Sequence, residues 1–466
     1  MDCALGEDWL SSSLYNMNEK PFQISRRSFM RTCTVLAAAA GVPPWFMERE
    51  LSAAPAGLRP LGPNDRPGVA LVGCGGMGRG DAGNASRFGD ILAVCDVDKS
   101  HAEAAAKQFS KDGKVPTQYS DFRKMLERDD IQVVVNGTPD HWHTLVNLGA
   151  TLAGKDVYGE KPLTLSVDEG KRLVKAVQKR KTVLQTGTQQ RSDERFRLAC
   201  ELVRNGRIGK LKEITVWLPA GLREGPFKPE AVPGGLDWGF WLGQAPWAEY
   251  TPKRCHVFFR YWYDYSGGTI TDWGAHHNDI ALWATGMPGP VAVEAKPLAD
   301  IIPGGYTAFS EYEIKFTYKT GVIHNVRSTK ADNIFGGVED PAGQRNGIRL
   351  EGTDGWIWVN RGTLQGSDPD LVKKPLSDSA ERLYKSDDHM GNFFDCIRSR
   401  KQPICDVVTG HQSAMISHLG VIALQTGLKL RWDPKRERFT GNGAREGNKY
   451  LAREMRKPYD YSFVGA

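Results

Sequence analysis

Three short stretches of this chain carry residues that can move a proton and a hydride. Gly267-Gly268-Thr269-Ile270-Thr271-Asp272-Trp273-Gly274-Ala275-His276-His277-Asn278-Asp279 sets a carboxylate, Asp272, four residues before an imidazole, His276. On a helix that spacing puts both on one face. Glu160-Lys161-Pro162 fixes a lysine beside a proline, and Gly73-Cys74-Gly75-Gly76-Met77-Gly78 is a glycine-rich turn able to hold a dinucleotide. Together they read as hydride transfer on an alcohol, with a sugar hydroxyl foremost. Each stretch alone has a plainer reading: a loop lysine is commonly a solvated charge, and glycine-rich turns occur in many α/β proteins.

The elements around the glycine turn strengthen the first reading. Val69-Ala70-Leu71-Val72 is a short apolar run expected to form a buried parallel strand, and a segment suited to a helix follows the turn. Ile91-Leu92-Ala93-Val94-Cys95 then ends in Asp96. Strand, G-x-G-x-x-G, helix and a distal acid make up the dinucleotide fingerprint. Its glycines admit the pyrophosphate, the helix N-terminus faces the phosphates, and the acid accepts from a ribose. Gly73, Gly75, Gly76, Met77, Gly78 and Asp96 are therefore the candidate cofactor contacts. Asp96 favours NAD over NADP because a carboxylate repels a 2′-phosphate, although Asp98 and Lys99 lie close by.

Val133-Val134-Val135-Asn136 reads as a third strand running into Gly137-Thr138-Pro139-Asp140-His141-Trp142-His143. Loops at the C-terminal ends of parallel strands line the crevice of an open α/β sheet. Thr138, Pro139 and His143 are thus expected along the cofactor path, the alternative being an ordinary capping turn. The next strand carries Asp156-Val157-Tyr158-Gly159 into Glu160 and Lys161, where a lysine can donate to a substrate hydroxyl.

With these residues on the page, the chain resembles the Gfo/Idh/MocA oxidoreductases, the family of glucose–fructose oxidoreductase and inositol dehydrogenase. The likeness rests on the Gly73–Gly78 turn, Thr138-Pro139 with His143, Glu160-Lys161-Pro162 and Asp272-x-Gly274-x-His276-x-x-Asp279. Asn392 to Ile397, through Gly410-His411, also resembles the family's closing helices. The resemblance implies an α/β protein with an N-terminal Rossmann dinucleotide-binding domain, 66–190. A C-terminal α/β domain, 191–466, built on a large, mostly antiparallel sheet and serving substrate binding and oligomerisation, would follow. It implies Lys161, Asp272 and His276 as the catalytic set. By the motif's spacing His277 is a substrate contact or a packed neighbour.

Past Arg191 the chain alternates strands such as Leu211 to Trp217 with glycine- and proline-rich loops. Pro219 to Gly235 reads as a long surface loop, and such loops are often functional; a substrate-covering role is expected. Asp237-Trp238-Gly239-Phe240-Trp241-Leu242-Gly243 and Arg260-Tyr261-Trp262-Tyr263-Asp264-Tyr265 supply aromatic planes for sugar faces and polar groups for hydroxyls. Arg191, Trp241, Arg260, Tyr263 and His277 are the candidate substrate contacts, set against the alternative that alternating aromatics form core. Tyr312 to Tyr318 alternates polar and apolar, as in a sheet with one exposed face. A broad sheet of that kind suggests a homo-oligomer, a dimer or tetramer.

The 466 residues suffice for two domains, and 40% hydrophobic with 25% charged residues is ordinary for a globular protein. A net charge of +6, with glutamates interspersed among the C-terminal basic residues, gives no basis for nucleic-acid binding. Eight scattered cysteines show no C-x-x-C pair and no zinc-ligand spacing, so neither a disulfide framework nor a metal site is expected. Residues 1–56 read as an export signal: Ser25-Arg26-Arg27-Ser28-Phe29-Met30, an apolar run from Thr34 to Val42, and Ala54-Pro55-Ala56 for cleavage. The paired arginines mark the twin-arginine type, whose export machinery would be a partner and which moves folded proteins. The start codon is Met1 or Met17. No other apolar run is expected to reach membrane-spanning length, so an exported, periplasmic protein with no membrane segment after processing is expected.

Three functions compete. The first is an NAD-dependent oxidoreductase of a sugar, polyol or glycoside. The second is a redox-neutral, NAD-dependent glycosidase that oxidises, eliminates, hydrates and reduces. The third, a dinucleotide sensor without turnover, fits poorly with Lys161 and His276 both present.

Overall fold

The computed structural model describes residues 65–329, 334–335, 338–339 and 345–466. The signal reading, from Ser25 to Ala56, lies outside the described residues.

Six parallel strands form the first sheet: β1 (Gly68–Val72), β2 (Asp90–Cys95), β3 (Thr117–Tyr119), β4 (Val133–Asn136), β5 (Asp156–Gly159) and β6 (Leu184–Thr186). Their order is β3-β2-β1-β4-β5-β6, and the order reverses between β1 and β4, where an open α/β sheet opens its ligand crevice. β1 and β4 are buried along their whole length, which is why their sequence is continuously apolar rather than alternating. Helices α1 (Gly76–Ala85), α2 (Lys99–Gln108), α3 (Asp140–Leu152) and α4 (Val167–Arg180) flank the sheet. α4 begins with a capping box in which Ser166 and Glu169 satisfy each other's backbone N–H groups.

The second sheet has nine strands in the order β15-β14-β13-β7-β10-β9-β8-β16-β17. In chain order these are β7 (Leu211–Pro219), β8 (Ala292–Pro297), β9 (Tyr312–Thr317), β10 (Ile323–Thr329), β13 (Gly347–Gly352), β14 (Trp356–Val359), β15 (Leu364–Gly366), β16 (Leu430–Asp433) and β17 (Arg438–Thr440). The numbers between belong to a two-stranded hairpin, β11 (Ile334–Phe335) with β12 (Val338–Glu339). Every neighbouring pair in the large sheet is antiparallel except β7 with β10. A Rossmann-like sheet followed by a large, mostly antiparallel one is the expected α/β architecture.

One face of the large sheet is covered by α5 (Glu194–Arg204), α6 (Thr269–Asp272), α7 (Gly274–Thr285) and, after α8 (His389–Ser399), the long α9 (Val407–Thr426). α9 corrects the expectation that no further apolar run reaches membrane-spanning length: its 20 residues contain an 18-residue stretch with a mean hydropathy of 1.2. It is 83% buried and packs against α7, α4 and β8, so its apolarity is that of a core helix.

Candidate active site

The glycine turn works by two distinct physical needs. Gly73 has φ +84°, and a Cβ there would meet the Thr138 amide nitrogen at 2.5 Å. A Cβ on Gly78 would fall 2.0 Å from the Gly73 carbonyl oxygen, so these two let the turn fold against β4. Gly75 and Gly76 differ: a Cβ on either would point into open space. That space is a cavity of about 500 Å³ bordered by Gly73, Gly75, Gly76 and Met77, by Asp96 after β2, and by Thr138, Pro139 and His143 after β4. A bare backbone facing a cavity at the start of α1 is what a pyrophosphate requires, so the residues present fit a dinucleotide. Asp96 is braced for its position: Oδ2 accepts from the Cys74 N–H at 2.7 Å and Oδ1 from the Asp98 N–H at 2.9 Å.

His143 ties the loops at the far end together. Its Nδ1 lies 2.6 Å from the Pro162 carbonyl and its Nε2 2.9 Å from that of Thr138. Glu160 and Lys161 line the same cavity. Glu160 is buried and lies near Asp81 on α1; burial and the Glu160 carboxylate hold the Asp81 pKa well above its ordinary value.

Lys161 donates to Asp272 Oδ1, joining the loop after β5 to the end of α6. Burial alone would depress the lysine, but Asp272 and Glu160 outweigh it and hold its pKa above the ordinary value. Burial would likewise raise Asp272, but Lys161 and Arg260, whose Nε stands 3.5 Å away, hold it below the usual carboxylate range. Both partners are therefore charged. Asp272 thus braces Lys161.

His276 lies in the first turn of α7, one turn past Asp272, with Trp273 joining α6 to α7 in helical conformation. It is buried, and its Nδ1 has no hydrogen-bond partner among the described residues. Burial pushes its pKa well below 6.5, and the charges of Lys161 and Arg361 push it further. Both effects favour the neutral imidazole.

Two of the expected substrate contacts are committed elsewhere. Arg191 is buried and holds Asp279 through Nε at 2.6 Å and Nη2 at 2.8 Å, with its guanidinium over Trp283. The motif's last acid thus serves an internal ion pair, and Arg191 is not free for substrate. His277 is fully buried, with Nε2 2.7 Å from Asn346 Oδ1 and its ring stacked on Trp273, which makes it the packed neighbour. Arg260 and Trp241 do line the cavity, together with Phe240 and Phe259. Tyr263 lies under the Arg453 guanidinium, and Trp262 and Tyr265 are core. The aromatic-rich segment is therefore part wall and part core. No residue of Pro219 to Gly235 lines this cavity; the loop instead packs by Phe227 on Tyr306 and by Glu224 on Lys253.

Sequence reasoning passed over Arg361 and Gln190. Arg361, in the turn between β14 and β15, lies with its guanidinium 5.0 Å from the Trp273 ring centroid. The Gln190 amide, oriented to satisfy both neighbours, donates to the His276 carbonyl at 3.0 Å and accepts from Arg361 Nε at 3.2 Å. Asp140, buried at the start of α3, accepts from Ser266 at 2.6 Å and was likewise not foreseen.

Comparison with known proteins places this geometry. Residues 68–188 match the model of the oxidoreductase family's NAD-binding Rossmann fold, and 217–461 that of the same family's C-terminal alpha/beta domain. The inositol 2-dehydrogenase/D-chiro-inositol 3-dehydrogenase of Lacticaseibacillus casei is 33% identical over 145 residues, covering 30% of this chain and 41% of that one. Glycosyl hydrolase family 109 protein 2 of Shewanella sp. (strain ANA-3) is 33% identical over 158 residues, 31% of this chain and 35% of that one. The chain therefore spans less than half the length of these curated relatives. Among solved structures, the WlbA dehydrogenase of Bordetella pertussis in complex with NADH and UDP-GlcNAcA shares the fold with a TM-score of 0.58 at 19% identity, over 79% of this chain and 99% of that one. A levoglucosan dehydrogenase in complex with NADH and levoglucosan gives a TM-score of 0.58 at 19% identity, over 79% and 99%. The glycine turn, its open crevice and the two matched domains agree: this chain belongs to the Gfo/Idh/MocA oxidoreductase family, with an NAD-binding Rossmann domain.

Proposed function

We propose that this protein oxidises a hydroxyl of a sugar, polyol or glycoside, with NAD held tightly in the crevice. One observation carries the reading: Lys161 lines the dinucleotide cavity and at the same time bonds Asp272, one helical turn before His276. Bound NAD supplies the acceptor for the hydride that leaves the substrate carbon. Neutral His276 takes the hydroxyl proton on a free ring nitrogen. Lys161, kept charged by Asp272, donates to the same oxygen and stabilises its developing negative charge. Arg260 and Trp241 are the cavity groups available to bind the rest of a sugar. Asp96 selects NAD over NADP by repelling a 2′-phosphate.

A second reading is favoured by the relatives named as family 109 glycosyl hydrolases. In it a glycoside hydroxyl is oxidised, the aglycone is eliminated, water adds and the hydride returns, so the net reaction is hydrolysis. The twin-arginine-like segment supports export to the periplasm in the folded state, and the broad antiparallel sheet supports a homo-oligomer. The decisive experiment denatures the purified protein and identifies the dinucleotide released. Sugars and glycosides are then screened by the near-ultraviolet absorbance of reduced nicotinamide, alongside chromatography for a freed aglycone. No dinucleotide, and no turnover of either kind, would refute both readings.

A further inference from the structure

A cluster at the outer edge of the crevice takes no part in the chemistry above. Asp98 and His101 sit at the start of α2, three residues apart and so on one side of the helix. His256 reaches them from the second domain, at the start of the short turn before Arg260. One ring nitrogen of each histidine and one carboxylate oxygen of Asp98 lie within 4.8 Å of one another. His256 Nε2 stands 3.3 Å from Asp98 Oδ2, and the two imidazole rings are 4.5 Å apart.

We propose that Asp98, His101 and His256 bind a divalent transition-metal ion with zinc-like ligand preference, and that this ion bolts the two domains together at the Asp96 end of the dinucleotide crevice. Two imidazoles and a carboxylate are a donor set suited to zinc, with one position left for water. Tetrahedral zinc with bonds of about 2.0–2.2 Å places its ligand atoms about 3.3–3.5 Å apart. The His256–Asp98 pair already has that separation, and the remaining distances need to close by about 1.5 Å at most.

The surroundings suit this use. Asp98 Oδ1 accepts from the Ser100 N–H and hydroxyl as the helix cap, which leaves Oδ2 for the cluster. Asp96 Oδ2 stands 3.7 Å from His101 Nδ1, where a carboxylate can orient a metal-bound histidine. His256 has φ +47°, a conformation few residues other than glycine adopt, and its ring is turned toward the carboxylate. Backbone bonds already stitch this corner: Lys99 N–H donates to the Gly235 carbonyl and Asp237 N–H to that of Val97, each at 3.0 Å. His101, His256 and Asp96 all border the cavity, so a metal here would hinder the opening through which a dinucleotide leaves.

The spacing hid this site, because its ligands come from positions 98, 101 and 256 and match no local zinc pattern. The test uses the full chain carrying no polyhistidine tag, stripped with chelator, incubated with zinc and passed through gel filtration. About one zinc per chain should remain. His101→Ala and His256→Asn, the latter tolerant of positive φ, should each weaken zinc binding at least about 10-fold against a competing chelator. Zinc should raise the Tm of the parent alone and slow release of bound NADH, followed by its fluorescence, in the parent alone. Asp98→Asn, which keeps a helix cap, serves if either histidine variant fails to fold. No retained zinc, or equal retention by the double variant, overturns the site. Zinc held by the cluster with no change in NADH release overturns the bolt.

Discussion

Lys161 and Asp272, 111 positions apart, form a buried ion pair that couples the loop after β5 of the first sheet to α6, which runs through Trp273 into the helix carrying His276. Because Lys161 also lines the dinucleotide cavity, this pair links that cavity to the segment carrying the proposed proton acceptor, His276. Lys161→Ala and His276→Ala should each lower turnover by ~10²–10⁴-fold, the range for a positioned acid or base. His277→Ala should cost less turnover than His276→Ala but more stability, since it removes a fully buried ring and its bond to Asn346 Oδ1. Steady-state rates and Tm of the three variants decide this, and the opposite order in turnover would transfer the role to His277.

The neutral state of His276 predicts the acid limb of the pH–rate profile. A base must be unprotonated to act, and burial, Lys161 and Arg361 all disfavour its protonation. The loss of kcat/KM on acidification should therefore begin well below the ordinary histidine value of about 6.5. Arg361→Ala removes one of the repelling charges and should move that limb upward, whereas Arg361→Lys should restore it. A limb at 6.5 in the parent, unmoved by Arg361→Ala, would show that another group accepts the proton.

The glycine turn offers a contrast within a single motif. Gly75→Ala adds a methyl to open crevice and should weaken dinucleotide binding while leaving Tm of the cofactor-free protein nearly unchanged. Gly78→Ala drives its Cβ to 2.0 Å from the Gly73 carbonyl and should destabilise the domain itself. Equal effects of both on Tm would mean that Gly75 is also needed for folding.

Asp96 predicts cofactor choice. Asp96→Asn keeps a side chain able to accept from the Cys74 N–H but removes the charge, so exclusion of NADP should relax more than NAD binding weakens. Titration of both dinucleotides into stripped protein measures it. Tighter binding of NADP than NAD by the unmodified protein would refute the assignment.

Local patterns carried most of what the sequence disclosed. The fingerprint and the D-x-G-x-H segment are legible because backbone geometry and helix periodicity constrain residues within a few positions of each other. What escaped was held by distance along the chain. Arg191 read as a substrate contact because Asp279, its partner, lies 88 positions away. Arg361 reaches His276 only through the closure of β14 and β15 and the side chain of Gln190. The lowered pKa of His276 follows from burial and from the charges of Lys161 and Arg361 on two other elements, an arrangement no local motif encodes.

Export to the periplasm, as proposed, would set a demand on the crevice. A dehydrogenase outside the cytoplasm has no evident pool of free NAD, so NADH released there would be lost. Retention would require a crevice that opens slowly, and His101 of the first domain faces His256 of the second across one edge, with Trp241, Phe259 and Arg260 adding to the second domain's wall. The expectation is that the dinucleotide is loaded before export and recycled in place, either by return of the hydride to the product or by a second substrate. Extensively dialysed protein should then retain NAD(H) and turn over its substrate with none added. Variants that open this wall, such as Trp241→Ala, should lose the dinucleotide on dialysis and regain activity when NAD is supplied. If the parent emerges empty and consumes external NAD mole for mole with substrate, recycling in place fails and an ordinary dehydrogenase remains.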